Sequence, residues 1–353
     1  MIVRTLGTLA VGATVVFLSG CGGGSSSLAR SGPNSLPAAQ QRAAAPPLGA
    51  ATYPIGAVNG KTPAQLRAGS LQRGRGWISP DAGGPNALLY VANLGGNSVE
   101  IFQHHGANQT PMGTITNGIN FPAGMTIDNK GNLYVVNEGA NNVTVYPRGQ
   151  ISPSLTYTTD LSTATDVAVA HDGTVYISNF NGLANGWVSV YPQGNTSNEY
   201  RISDFNGGAP LGVALDSSGN LYVQYDLNGS GNDAVNEYAP GSTTGTNLHL
   251  VYKFGGSVRV DGTGDILVAQ QVQPSAILVF PPGATQASQS ITFPDNGQPF
   301  ALAVNRKNMA LFAGDSTSNT EAEFAYPSGT YRYAVAGGFN NPSGVAVSPS
   351  QFK

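Results

Sequence analysis

A single cysteine, Cys21, occurs in the 353 residues, so no intramolecular disulfide is possible and no thiol cluster exists for a metal or a redox pair. Charge is scarce as well: 10% of residues are charged, with 16 basic against 19 acidic and a formal net charge of −3. Lys and Arg nowhere cluster, which argues against nucleic acid or anionic lipid as an electrostatic partner. The four histidines lack metal-ligand spacing. His104 and His105 adjoin at the end of one expected strand, His171 precedes a turn and His249 falls in an expected outer strand. No Gly-x-Ser-x-Gly elbow is present, and no stretch sustains helical periodicity. Conventional nucleophilic catalysis and a helical fold both lose their usual sequence support. Abundant instead are glycine, with 47, and proline, with 23, the residues of many tight turns.

These residues punctuate a repeat. Residues 122–149 read as three strands: an apolar first strand ending at Asp128, a second over 133–136 and a third over 143–146, stopped by Pro147 and Gly149. The middle of the second strand recurs as Tyr90, Tyr134, Tyr176, Tyr222, Leu267 and Leu311, at spacings of 44, 42, 46, 45 and 44. The glycine after the third strand keeps the same register independently, as Gly106, Gly149, Gly194, Gly241, Gly283 and Gly329. Periods of about 40–45 residues built of strands alone predict a β-propeller with one four-stranded blade per repeat. Fourth strands are expected over 112–116, 155–158, 200–203, 248–254, 290–293 and 331–335. The fold class is therefore all-β, a six-bladed propeller over residues 85–353.

The two ends of the array predict how the ring closes. Residues 342–348 repeat a first strand with only a short tail behind it, whereas the first repeat opens directly at its second strand, 88–92. Each end supplies what the other lacks. Residues 344–347 are expected to form the innermost strand of the first blade, which leaves no open sheet edge and suits a monomer. First strands carry small residues, as in Gly212-Val-Ala-Leu215 and Ala301-Leu-Ala-Val304, where blades converge on the axis. The turns at 128–131, 216–219 and 261–264 open on Asp and close on Gly, the chemistry of an Asx turn followed by a residue free to take positive φ.

Residues 1–20 hold a short basic n-region with Arg4 and an apolar run from Leu6 to Leu18, an export signal rather than structure. Leu18-Ser-Gly-Cys21 resembles the lipobox of bacterial lipoproteins, in which the Cys becomes the acylated N-terminus of the mature chain. The resemblance implies a lipid on Cys21, membrane contact through that lipid alone, and, with Gly22 following, sorting to an outer membrane where the cell has one. Residues 21–84 are rich in Gly, Ser, Ala and Pro and read as a tether.

The repeat itself has a consensus: Pro-x-Gly-apolar-x-apolar-Asp, then Gly-Asn-Leu-Tyr-Val, then Asn-Asn-x-Val-x-Val-Tyr. It resembles the NHL repeat and the related gluconolactonase-like and streptogramin-lyase-like propellers, over the 268 residues from Asn86 onward. That group implies the six-bladed fold and leaves function open among metal-dependent lactonases, lyases and binding modules. Its gluconolactonase-like members hold a divalent metal in the channel through Glu, Asn and Asp; no position here matches those ligands.

Departures from the repeat point to candidate sites. Residues 226–237 form an inserted loop with calcium-loop spacing: Asp226, Asn228 and Ser230 at positions 1, 3 and 5, Gly231 at 6, Asn232 at 7 and Glu237 at 12. Glu237 also replaces the apolar residue found as Val145, Val190 and Val279, and a carboxylate there is costly unless paired or coordinated. Calcium is thus the one cofactor suggested, against the ordinary reading of an Asn/Gly-rich hairpin tip. Arg259 stands in an innermost strand where its equivalents are Thr126, Ala168, Ala214, Ala303 and Ala346. It either meets an anionic ligand in the channel or pairs with a nearby carboxylate such as Asp261 or Asp265. Asn93, Asn137, Asn179 and Gln270 end their second strands on one rim, which suits glycan or peptide recognition or simply turn formation. Two functions remain: a lipid-anchored, non-catalytic envelope module binding a protein, peptide or glycan, or a divalent-metal hydrolase or lyase of gluconolactonase type.

Overall fold

The computed structural model describes residues 76–79 and 87–349, except 105, 108, 182–184, 228–232 and 306. The export signal, Cys21 and the tether through residue 75 lie outside the described residues, as do His105, Asn228, Ser230 and Asn232.

Short apolar strands separated by Gly- and Asp-rich turns pair with their sequence neighbours, and the result is six antiparallel sheets. From the axis outward, blade 2 is Pro122–Ile127, Leu133–Asn137, Asn142–Tyr146 and Leu155–Tyr157. Blade 3 is Ala164–Val169, Val175–Asn179, Trp187–Tyr191 and Tyr200–Ile202, and blade 4 is Ala209–Leu215, Leu221–Asp226, Asp233–Tyr238 and Thr246–Asn247. Blade 5 is Gly255–Val260, Ile266–Gln270, Ala276–Phe280 and Gln289–Ile291, and blade 6 is Pro299–Val304, Ala310–Asp315, Thr320–Ala325 and Thr330–Val335.

Blade 1 closes the ring as the two incomplete ends predict. Leu88–Asn93, Ser98–Gln103 and Gly113–Ile115 supply its outer strands and Pro342–Ser348 its innermost, with Tyr90 opposite Ala346 and Leu88 opposite Ser348. The inner strands pack backbone against side chain with little clearance: a Cβ on Gly344 would strike the Ala123 carbonyl, and one on Gly124 would strike Asp166. Small residues on the inner strands are therefore a steric requirement of the converging blades.

Second strands are buried on both faces, and aromatic pairs fill the outer spaces between blades, such as Tyr157 against Tyr191 at 5.0 Å between ring centroids. Each large side chain so buried contributes about 1.5–3 kcal/mol. The Asx turns form as expected: Asp128 Oδ1 accepts the Lys130 and Asn132 N–H groups at 2.9 and 2.8 Å, and Gly131 follows at φ +87°. Asp216 and Asp261 repeat the arrangement. These turns define one face of the ring; the hairpins between second and third strands define the other.

Two boundaries differ from expectation. The outer strand of blade 4 is Thr246–Asn247 rather than 248–254. The alternation of Leu250, Tyr252 and Phe254 is real, but the segment is irregular, with His249 and Phe254 at positive φ; Leu250 and Tyr252 are buried in the seam toward blade 5, and Phe254 packs with Phe180, Ala209 and Leu211. The propeller also begins earlier than residue 85, since Trp77–Ile78 adds a fifth, outermost strand to blade 1.

Candidate binding site in the central channel

The inner strands present two rings of side chains toward the axis. One level holds Thr126, Ala168, Ala214, Arg259, Ala303 and Ala346; the level two residues earlier holds Gly124, Asp166, Gly212, Ser257, Ala301 and Gly344. Ten of these twelve are small. The two exceptions meet: Arg259 Nη1 lies 2.8 Å from Asp166 Oδ2, with side chains only 14% and 6% exposed. The pair spans two blades, because Arg259 belongs to blade 5 and Asp166 to blade 3.

A bulge helps aim Asp166. In every blade the inner strand carries one residue more than its partner near the hairpin face, and in blade 3 that extra residue falls between Ala164 and Val167. Asp166 Oδ1 accepts the Val167 N–H at 3.0 Å and its Oδ2 accepts the Val213 N–H at 3.2 Å. Arg259 Nη1 also donates to the carbonyls of Val258, at 2.7 Å, and Val213, at 3.3 Å. Both charges are thus hydrogen-bonded as well as paired, which is what a buried ion pair requires.

The pair divides the channel. On the turn face a cavity of about 90 Å³ is lined by Thr126, Ala168, Ala214 and Arg259, with Asn129 and His171 at its lip. A second, of about 70 Å³, continues past Ala303 and Ala346, and a third, of about 20 Å³, lies on the hairpin side against Asp166, Ser257 and Gly256. All three border Arg259. Asn129 and His171 are both exposed, and Asn129 Nδ2 donates to the His171 carbonyl at 3.0 Å, fixing the edge of the turn-face opening. The hydrogen bonds of the Arg259 guanidinium run through Nη1 and Nη2.

The sequence therefore placed Arg259 in the channel, and its partner is a correction. Asp261 is held in its own turn, its Oδ1 taken by Thr263 and Asp265 N–H groups and its Oδ2 by the Tyr326 hydroxyl at 2.9 Å. Asp166 was missed, although the comparison that singles out Arg259 also singles out Asp166 two positions earlier in the ladder.

The rim amides are engaged within the fold. Asn93, Asn137, Asn179 and Gln270 are buried, and each side-chain oxygen accepts a backbone N–H from the loop entering its blade: Asn340, Asn120, Ser162 and Lys253, at 2.8–3.0 Å. Asp315 does the same for Gln298 in blade 6. They staple the inter-blade loops. Nearby, burial pushes the Glu138 carboxyl up to about 8.

The hairpin register separates Asp226 and Glu237, the two described ends of the candidate calcium loop. Asp226 stands opposite Asp233, while Glu237 stands opposite Tyr222, whose hydroxyl donates to Glu237 Oε1 at 2.9 Å. Four residues of strand, about 13 Å, separate Glu237 from the Asp226 end. Asp226 and Glu237 are not brought together. His104 is buried against Phe312, 5.1 Å between ring centroids, in the seam between blades 1 and 6, and does not line the channel cavities. Among the described residues, no group of three or more His, Cys, Asp or Glu side chains is placed to hold a metal.

No protein-family model matches the sequence, and no curated protein matches it. Among solved structures, a chain of a nidogen/laminin complex superposes with a TM-score of 0.60 at 14% identity, covering 75% of this chain and 99% of that one. A chain of Kuenenia stuttgartiensis hydrazine synthase matches with a TM-score of 0.48 at 17% identity, over 70% of this chain and 75% of that one. Virginiamycin B lyase from Staphylococcus aureus matches with a TM-score of 0.44 at 15% identity, over 60% of this chain and 68% of that one. At 14% identity the first match shows the propeller fold alone.

Proposed function

We propose that the protein is an exported, lipid-anchored propeller acting as a non-catalytic binding module at the cell envelope, and that it engages acidic groups of a peptide, protein or glycan at the turn-face mouth of its channel. The observation that carries this reading is Arg259, the one cation among twelve inner positions and a wall of the three cavities described above. Its pairing with Asp166 stoppers the channel at mid-depth, so the mouth is a shallow basin with a charged floor. Such a basin suits a side chain or sugar presented from outside. The hydrolase or lyase reading would draw on carboxylates converging at the axis, and the inner rings supply Asp166, already committed to Arg259. The anchor follows from the resemblance of residues 18–21 to a lipobox; replacing Cys21 with Ser should move the protein from the membrane fraction to the soluble exported fraction.

Arrays of acidic and neutral glycans and peptides, probed with the full chain and with the Arg259→Gln/Asp166→Asn double variant, test the binding reading. Removing both charges leaves neither unpaired. Acidic ligands retained by the wild type and lost by a folded double variant support it; the same ligands on both proteins refute it.

A further inference from the structure

Blade 4 differs from the other five at the hairpin face. Its second and third strands end in two aspartates directly opposite each other, Asp226 and Asp233, both buried. Asp233 Oδ2 accepts Gln224 Nε2 at 3.0 Å and the Gly255 N–H, which opens blade 5. Its other oxygen, Oδ1, is buried with no hydrogen-bond partner. Gln224 lies on the same strand face, two residues from Asp226, and is 0% exposed; its Oε1 is likewise buried and unpartnered. Tyr252, from the segment leading into blade 5, closes the group: a Cβ on Gly255 would lie 2.8 Å from its ring and 3.3 Å from Gln224 Nε2. The Tyr252 hydroxyl is the third unpartnered buried oxygen there.

Buried oxygens without partners are rare and destabilising, more so where charged. Burial raises Asp233, and Asp226 beside it raises it further, by its charge and through a side-chain hydrogen bond between the two carboxyls. A cation would offset the like charge of the two carboxylates and give a partner to Asp233 Oδ1, Gln224 Oε1 and the Tyr252 hydroxyl. Every donor is a hard oxygen, and thiolate and imidazole are absent from the group, which selects the calcium class over zinc or copper.

We infer that Asp226, Asp233 and the Gln224 side-chain oxygen, walled by Tyr252, form a site for one calcium-class cation in the seam between blades 4 and 5. Glu237 takes no part. The site is separate from the Arg259 basin, which opens on the opposite face, and does not depend on it. Bound there, the ion ties the hairpin of blade 4 to the first strand of blade 5 through Gly255.

The test is a thermal melt of the full chain in excess chelator and in excess calcium, with direct titration by calorimetry. At a calcium concentration about 100 times the dissociation constant, the melting temperature should rise by about 5–10 °C. The shift and the single calorimetric site should vanish in Asp233→Asn and persist in Glu237→Gln. In chelator Asp233→Asn should melt at or above the wild type, since one charge of a buried like-charged pair is gone, and that result also shows that the variant folds. If it does not fold, Gln224→Leu with terbium as the probe takes its place and should weaken binding at least tenfold. No calcium shift in the wild type, a shift that survives Asp233→Asn, or one lost in Glu237→Gln would overturn the inference; the first outcome would leave the aspartates sharing a proton.

Discussion

Removing Asp166 should damage the protein more than removing Arg259, and removing both should do less harm than the single losses together. In Asp166→Ala the guanidinium keeps only the Val258 and Val213 carbonyls, and the Val167 and Val213 N–H groups lose a side-chain acceptor. Breaking a buried ion pair from one side costs about 3–5 kcal/mol, and each lost hydrogen bond about 1 kcal/mol more. Arg259→Ala leaves Asp166 with two backbone donors and should cost about 3 kcal/mol. In the double variant neither charge is stranded, and the cycle should return a coupling of about 2–3 kcal/mol. Calorimetric melts read this directly, because 1 kcal/mol moves the midpoint by about 2–4 °C in a domain near this size. Additivity within about 0.5 kcal/mol would refute the account of the channel stopper.

Further outcomes follow from the same physical accounting. Asn137→Ala should cost about 3 kcal/mol, because it strands the Asn120 N–H and two side-chain partners, Asn142 and Thr144, without changing ligand affinity; a loss of affinity at unchanged stability would return the rim amides to recognition. Deleting residues 341–353 removes the inner strand of blade 1 and should abolish cooperative unfolding, checked by the sharpness of the melt. Burial raises Glu138 from 4.5 to about 8, so the folded state holds its proton more tightly than the unfolded chain does. Stability is then full below about pH 4.5 and falls as pH rises through about 8, by at most about 4–5 kcal/mol. Glu138→Gln should flatten that dependence, and melts at pH 5 and pH 9 that fall equally in both proteins would contradict it.

Much of the fold was legible because a ring of blades is one local pattern used repeatedly. Tyr90, Tyr134, Tyr176 and Tyr222 mark the period, and the unmatched strands at 88–93 and 342–348 disclose the closure. What a repeat comparison cannot see is pairing between blades. Arg259 stands out in its own ladder, but its partner lies 93 residues away, and only the ring geometry brings Asp166 to it. Alternation misleads for a related reason: Leu250, Tyr252 and Phe254 are buried on alternate positions as in a strand, yet Leu250 and Tyr252 pack in the seam toward the next blade and Phe254 against Phe180, Ala209 and Leu211, rather than along a neighbouring strand. The rim amides show that a residue repeated at one position in most blades answers to the scaffold. The calcium-loop spacing assumes a loop wrapping a central ion, whereas the hairpin places Asp233 opposite Asp226 and Glu237 further along the strand.

The binding proposal turns on one charge. The most direct measurement takes the best acidic ligand from the arrays and the same ligand with its acid capped as an amide, and titrates both against the full chain and the Arg259→Gln/Asp166→Asn variant. If Arg259 receives the acid, capping should weaken binding to the wild type by tenfold or more, about 1.4 kcal/mol, and leave the variant's affinity unchanged. An equal loss on both proteins would place the acid elsewhere and contradict the account.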